Sequence, residues 1–288
     1  MSNYHLLIAD PSYSSWSLRG WLAFTCFGID VKTSITRLYD SAFQQDLKAF
    51  APAKTVPVVR VKDGTLFTDS LSIIEELASR HPEAGLLPEK GPERARARNL
   101  MAEMHSGFMA LRGDCPMNSR VAYLPKSERD EVIQDLRRLE LLWQTRTDEN
   151  GWLCGAYSAA DVMFAPVAAR IAGYGLDVND NAKAYVKKHL HHLPFRQFRA
   201  LGLTFAAQDF YYRDWPTTKW PGPQPLPAKA TIRTDAVNDT CPYSGLPTTH
   251  YLALDDKVYG FCNERCRDKT VNDAEAFPEF MALVAKHR

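Results

Sequence analysis

The chain has 288 residues, 45% of them hydrophobic and 24% charged, with 35 Lys and Arg against 34 Asp and Glu. At roughly 150 residues per domain this length predicts two or three domains. The even charge balance excludes the strong overall field of a general nucleic-acid or polybasic membrane binder. No apolar run approaches the ~18 residues of a membrane span. Leu6–Ala9 is cut off by Asp10 too early for a signal peptide. The chain therefore reads as soluble and cytoplasmic, with neither nucleic acid nor membrane among its partners.

Tyr4–Ala9 predicts a short buried strand. Asp10 to Ser15 is polar, and Trp16, Leu18, Trp21, Leu22 and Phe24 begin a helical pattern that Gly28 ends. Val31, Thr33 and Ile35 alternate with polar residues as a second strand. Val56–Val61 and Thr65–Phe67 flank Asp63-Gly64, a hairpin signal. Asp69 and Ser70 open a helix carrying Leu71, Ile74, Leu77 and Ala78. The order βαβ, ββ, α makes residues 1–82 a compact α/β domain.

From Gly91 to about Leu201 the pattern is helical, with Pro92 suited to a first turn. Leu100, Met104, Phe108 and Leu111 form one apolar stripe, and Val132, Ile133, Leu136, Leu139, Leu142 and Trp143 another. Arg94, Arg96 and Arg98 read as a solvated face. Ser158-Ala159-Ala160-Asp161 is a capping-box-like start to a helix that Pro166 should kink. His189, His191 and His192 read as solvated cations near a helix end. Residues 90–216 thus form an all-α domain. The segment KWPGPQPLPAK, Lys219–Lys229, holds four prolines. Residues 217–233 are therefore a semi-rigid linker, and 234–288 a small separate module.

Two constellations carry chemistry. In the first, Ser12-Tyr13-Ser14-Ser15-Trp16-Ser17-Leu18-Arg19 joins the first strand to the first helix. One hydroxyl would cap that helix. Several together, beside its positive end, suit a bound anion such as a thiolate. Val56-Pro57 begins a strand, and a cis bond there would turn the Val56 backbone outward to pair with an extended peptide. Ser70 and its N–H can receive a carboxylate, and Asp69 an ammonium group. Those are the two charged ends of a γ-glutamyl group.

These motifs, with AKTVPVV (Ala53–Val59), DSLSIIEEL (Asp69–Leu77) and SAADVMFAPV (Ser158–Val167), resemble the glutathione S-transferase family in order and spacing. The resemblance covers residues 1 to about 215. It is nearest to the serine-type zeta and theta classes and, through Ala102–Asn118, to a bacterial subgroup. It implies a thioredoxin-like first domain, a helical second domain, glutathione as cofactor, a small electrophilic substrate and a homodimer. Ser14 falls on the catalytic serine, with Ser15 and Ser17 able to replace it if the turn is shifted. Val56, flanked by Pro57, would pair with the cysteinyl backbone, Asp69 and Ser70 would hold the γ-glutamyl end, and Lys54 the peptide carboxylate. Asp69 stands where the family has Glu or Gln. Met104, His105, Phe108 and Arg112 are candidates for the second-substrate pocket. His105 and Arg112, seven apart on one face, would orient a carboxylate-bearing substrate or form a surface pair. Conjugation, isomerisation and peroxide reduction all use the same thiolate. The alternative is a non-catalytic glutathione- or partner-binding protein with a docking or metal-sensing tail.

In the second constellation, Cys241-Pro242-Tyr243-Ser244-Gly245 and Cys262-Asn263-Glu264-Arg265-Cys266 flank a predicted hairpin, Tyr251–Gly260, turning at Asp255-Asp256. A helix over Ala276–Lys286 follows. The arrangement resembles the treble-clef zinc modules of the YHS and TRASH type, with Ser244 where a second Cys would stand. Cys241, Cys262 and Cys266 are then zinc ligands, with His250, Asp268, His287 or a water as fourth. The other reading is a metal-free remnant held by Tyr243, Phe261 and Phe277.

Overall fold

The computed structural model describes residues 2–146, 148 and 151–287, with the backbone alone for Phe210. Strand β1 (Tyr4–Ala9) lies inside its sheet, parallel to β2 (Lys32–Thr36) and antiparallel to β3 (Val58–Val61). Strand β4 (Leu66–Phe67) pairs with β3, completing the order β2-β1-β3-β4. Both faces of β1 are covered, which is why it reads as a continuous apolar run rather than an alternation. Leu7, Ala9 and Val58 pack with Leu47 and Phe50 on one face. Helices α1 (Ser15–Thr25) and α3 (Ser70–Arg80) pack on each other.

Helix α2 (Ser41–Lys48) escapes the sequence reading. Its sequence SAFQQDLK buries Leu47 alone, so no apolar stripe announces it, and Asp40 caps it by accepting from Ala42 N–H. One glycine fixes the geometry near the sheet. A Cβ on Gly20 would stand 2.7 Å from Pro57, so α1 touches the start of β3 directly. The Val56–Pro57 bond is cis, as is Ala51–Pro52.

The helical segment contains α4 (Gly91–Ser106), α5 (Met109–Asp114), α6 (Asp130–Gln144), α7 (Ala159–Tyr174) and α8 (Asp180–His191). The apolar stripe from Leu100 to Leu111 is not one helix. Phe108 stands at φ 59°, in the left-handed region, and separates α4 from α5. Nearly all of α7 is buried, and it runs on through Pro166, whose carbonyl accepts from Arg170. Asp161 closes its capping box. The Asp161 carboxylate accepts from Ser158 N–H (2.9 Å), Leu153 N–H (3.0 Å) and the Tyr185 hydroxyl (2.8 Å). His189 is not solvated. It is fully buried against Trp152 and Tyr185.

The chain forms two compact units, Met1–Leu190 with Phe210–Pro221, and His191–Asp209 with Gly222–Arg288. Helix α9 (Leu193–Gly202), which the sequence reading places in the helical domain, is gathered with the C-terminal residues. The proline-rich segment carries a short edge strand near each end. Strand β6 (Thr217–Thr218) pairs with β5 (Ala122–Tyr123) in the first unit. Strand β7 (Lys229–Thr231) pairs with β8 (His250–Leu254) in the second. Strand β9 (Lys257–Phe261) completes the three-stranded sheet, the hairpin turning at Asp255 with φ 55°. Helices α10 (Glu264–Asn272) and α11 (Pro278–His287) follow, around a core of Leu252, Tyr259, Phe261, Phe277 and Phe280. Among the described residues no helix is long and apolar enough to cross a membrane.

Candidate functional site

The turn after β1 is built by Asp10, whose carbonyl accepts from both Tyr13 N–H (2.8 Å) and Ser14 N–H (2.9 Å). Ser14 is thereby set as the N-cap of α1, with its hydroxyl accepting from Ser17 N–H (3.2 Å). The first turn of α1 holds no acidic side chain, so its positive end is uncompensated. The Ser14 and Ser17 hydroxyls hydrogen-bond at 2.8 Å, and Ser17 Oγ also accepts from Ala9 N–H. Ser17 is fully buried. Its hydroxyl accepts from Ser14 and so holds that side chain in place. A cleft of about 660 Å³ opens in front of this turn, lined by Ser14, Ser15, Trp16, Lys54 and Val56 with Tyr39 opposite. The ladder of β3 on β1 ends at the pair Val58–Leu7, which leaves the Val56 backbone outside it.

Asp69 and Ser70 open α3 and do not line that cleft. Asp69 caps α3, one carboxylate oxygen accepting from Leu71 N–H at 2.7 Å. The other oxygen lies 3.8 Å from His105 Nε2. Ser70 is 1% exposed and its hydroxyl makes no hydrogen bond.

The four candidates for the second-substrate pocket separate. Met104 is wholly buried, and Phe108 packs edge-on against Phe164 inside the helical core. Both are core residues rather than pocket residues. His105 and Arg112 stay in play, though on two helices rather than one face of a single helix. His105 meets the Trp16 ring at 5.3 Å between centroids. Arg112 places its guanidinium 4.9 Å from the same ring and donates to the carbonyls of His105 and Gly107.

The sequence reading misses what these residues belong to. Trp16 also meets the Arg19 guanidinium, 4.4 Å from its centroid. Arg19 is 1% exposed. Its Nε donates to the Met163 carbonyl, and its two terminal nitrogens make no hydrogen bond. Arg170, from α7, donates to the Cys115 and Pro166 carbonyls and, at 3.3 Å, to Ser15 Oγ. Burial, with the neighbouring Arg170 and Arg112 charges, lowers Arg19 well below the ordinary arginine value. Burial and Arg112 bring Arg170 down to about 10. These three guanidinium groups donate to carbonyl and hydroxyl oxygens, and among the described residues none of the three is in an ion pair. Trp16 and Arg19 are one helical turn apart on α1, but no spacing rule joins them to positions 112 and 170.

In the second unit Cys241, Cys262 and Cys266 come together, their Sγ atoms within 4.8 Å of one another. Neither His250, Asp268 nor His287 belongs to this group. His250 Nδ1 bonds to Thr249, and Asp268 pairs with Arg267.

A domain in the order βαβ, α, ββ, α, with a hydroxyl-bearing turn at the head of its first helix and a helical segment after it, is the thioredoxin-like arrangement. Residues 13–80 match the family model of the glutathione S-transferase N-terminal domain. The chain is 34% identical over 188 residues to a probable maleylacetoacetate isomerase of Caenorhabditis elegans, covering 62% of this chain and 85% of that protein. It is 31% identical over 177 residues to probable maleylacetoacetate isomerase 1 of Drosophila melanogaster, covering 58% and 69%. A glutathione transferase homologue from Burkholderia, solved with bound glutathione, superposes with a TM-score of 0.53 at 21% identity, over 70% of this chain and 98% of that one. The chain belongs to the glutathione S-transferase family, a family of glutathione-dependent enzymes.

Proposed function

We propose that this chain is a serine-type glutathione transferase whose second substrate is a small, carboxylate-bearing electrophile, with cis–trans isomerisation of a conjugated double bond as its reaction. The observation that carries the reading is the Ser14 hydroxyl, set at the uncompensated N-terminus of α1 and bordering an open cleft. The isomerase names of the relatives support the reaction type.

A free cysteinyl thiol has a pKa of about 8.5. A charge-assisted hydrogen bond contributes about 1.5–3 kcal/mol and a helix end about 0.3–1 kcal/mol. Each 1.36 kcal/mol of preference for the anion lowers the pKa by one unit, so the bound thiol falls to between about 5.6 and 7.2 and is about 40% or more ionised at pH 7, against a few per cent for the free thiol. Ser14 donates to the sulfur and removes no proton. Ser17 Oγ, held by Ala9 N–H, accepts the Ser14 proton in the free protein, and on binding that proton turns from Ser17 to the ligand sulfur. The Val56 backbone beside Pro57 pairs with the cysteinyl residue, and Lys54 meets the peptide carboxylate. Asp69 receives the ammonium group with the oxygen its cap leaves free. Ser70 supplies its N–H and unpartnered hydroxyl to the γ-glutamyl carboxylate.

The thiolate adds to one carbon of the double bond, and its electron pair passes to the conjugated carbonyl as an enolate. Rotation about the new single bond and expulsion of the same thiolate return the trans isomer. Arg112, flanking Trp16 with His105, attracts the substrate carboxylate, and the field of Arg19 and Arg170 favours both anions. Homodimer assembly follows from the family resemblance and is tested by sedimentation.

The test pairs Ser14→Ala with Ser14→Thr. Alanine raises the pKa of bound glutathione, read from thiolate absorbance, and lowers kcat by about 10²-fold or more while glutathione affinity holds. Threonine restores both. Unchanged turnover in Ser14→Ala overturns the assignment. Arg112→Ala raises KM for a maleyl carboxylate and leaves a neutral aryl halide unaffected. An equal effect on both electrophiles removes the carboxylate from the reading.

A further inference from the structure

The glutathione reading makes no use of the three cysteines of the second unit. Their placement is specific. Cys262 precedes the N-cap Asn263 of α10, and Cys266 sits in that helix's first turn. Their sulfurs stand 3.9 Å apart. Two sulfurs bound to one ion at ~2.3 Å stand about 3.8–4.0 Å apart in tetrahedral or trigonal geometry. Cys241 is brought up from the preceding turn, 2% exposed, with the backbone N–H groups of Cys262, Tyr243 and Ser244 turned on its sulfur. Around Cys262 Sγ, the Ser244 hydroxyl and Asn263 Nδ2 each donate at 3.2 Å. Hydrogen bonds to ligand sulfurs are how proteins orient thiolate ligands.

We propose that Cys241, Cys262 and Cys266 bind one thiophilic d¹⁰ cation, Zn²⁺ or Cu⁺, through three thiolates, with any further coordination position open to an exchangeable ligand. Three soft sulfur ligands select these ions over hard cations. Among the described residues no fourth His, Cys, Asp or Glu joins the group. The site is therefore of the open kind, unlike the closed four-ligand sites that zinc uses purely to hold structure. Ser244 lies against the cluster, its hydroxyl 3.2 Å from Cys262 Sγ. Its hydroxyl or a water completes a Zn²⁺ site, whereas Cu⁺ needs only the three sulfurs. Binding requires three thiols to lose their protons to solvent. No electron is transferred.

The full-length chain, purified under reducing conditions, is assayed for metal by elemental analysis, then stripped and titrated with Co²⁺, Zn²⁺ and Cu⁺ separately. One equivalent of zinc or copper per chain is expected, with a thiolate-to-cobalt charge-transfer band that saturates at one Co²⁺ and is displaced by Zn²⁺. Cys262→Ser loses the band. Ser244→Cys closes the site and slows metal loss to a chelator by about tenfold or more, a gain that misfolding cannot imitate. Uptake of Cu⁺ alone supports the site in its trigonal form. Absence of metal together with no cobalt band, or a Cys262–Cys266 disulfide in freshly isolated protein, overturns the proposal. So does Ser244→Cys exchanging metal at the wild-type rate.

Discussion

Each unit of the molecule places sulfur chemistry at the head of a helix, and the two heads are built with opposite polarity. At the start of α1 the chain offers donors, namely the helix N–H groups and three nearby arginines that form no ion pair among the described residues, a setting that on the proposed reading suits an anionic ligand sulfur. At the start of α10 the chain supplies three sulfurs of its own, a setting that on the proposed reading suits a cation. The capping residues express the difference. Ser14 caps with a hydroxyl oxygen, accepting from Ser17 N–H while its own proton goes to Ser17 Oγ. Asn263 caps through Oδ1, accepting from Cys266 N–H at 2.8 Å, and spends its amide hydrogens on Cys262. A helix terminus alone therefore does not define a function. The charge that its neighbours leave unbalanced does.

If the two sites are separate chemistries, damage to the support of one leaves the other intact. Asp161→Ala leaves Leu153 N–H, Ser158 N–H and the Tyr185 hydroxyl without their acceptor in a fully buried place. At about 1–3 kcal/mol for each buried donor left unsatisfied, an overall loss of at least about 3 kcal/mol is expected. It is measured as a fall in the melting of glutathione-protected protein, while cobalt uptake at the cysteines is retained. Loss of both together would show that the sites share one support. Next in size is Ser14→Gly. Glycine replaces a serine cap at a cost of only a few tenths of a kcal/mol, so its turnover should fall about 10²-fold with melting nearly unchanged. A large drop in melting with modest loss of turnover would make Ser14 a structural cap and no more.

Where the sequence pattern and the local chemistry agree, the structure was readable in advance. Strand β1 was legible because its apolar run is uninterrupted, and the start of α3 because Asp69 and Ser70 announce a cap. The serine turn was legible too, since caps and turns are local. Helix α2 was not, because a helix that buries one residue has no periodicity to detect. Phe108 defeated the helical stripe, since nothing in an apolar residue's identity signals a left-handed backbone. Met104 and Phe108 show the general limit on pocket candidates. A stripe tells which residues leave water, and cannot tell core from cleft. The arginines around Trp16 mark the other limit, because a cluster assembled from α1, α5 and α7 exists only once those helices pack. For the cysteines, residue type and spacing sufficed to group the three. Excluding His250, Asp268 and His287 took coordinates.

Smaller effects sharpen the contrast from the other unit. Arg196 and Asp273 form a bidentate pair, with Nε and Nη2 donating at 2.9 and 2.7 Å, in surroundings that leave the side chains 13% and 8% exposed. Arg196→Ala strands a buried carboxylate, and a loss of about 1.5–3 kcal/mol is expected. It should lower the melting of the second unit and the retention of metal there, with glutathione-dependent turnover unchanged. If turnover falls with it, the separation fails.

The smallest expected effect is a pH dependence in the first unit. His5, on β1, bonds to Ser34 Oγ at 2.8 Å and packs edge-on against Phe50. Burial first, then the Lys32 and Arg60 charges, lower its pKa below the ordinary histidine value of 6.5. The unfolded chain then binds the proton more readily than the folded one. Stability is therefore full above the unfolded value and is lost as pH falls through it toward the folded value. Between about pH 7 and 5 the wild-type first unit should lose more melting temperature than His5→Gln, which keeps a hydrogen-bonding side chain and cannot charge. The cobalt-loaded second unit supplies the control, since the same replacement should leave its melting untouched. Parallel acid curves for wild type and variant would show that His5 titrates alike in the folded and unfolded chain, and would remove it as the source of the slope.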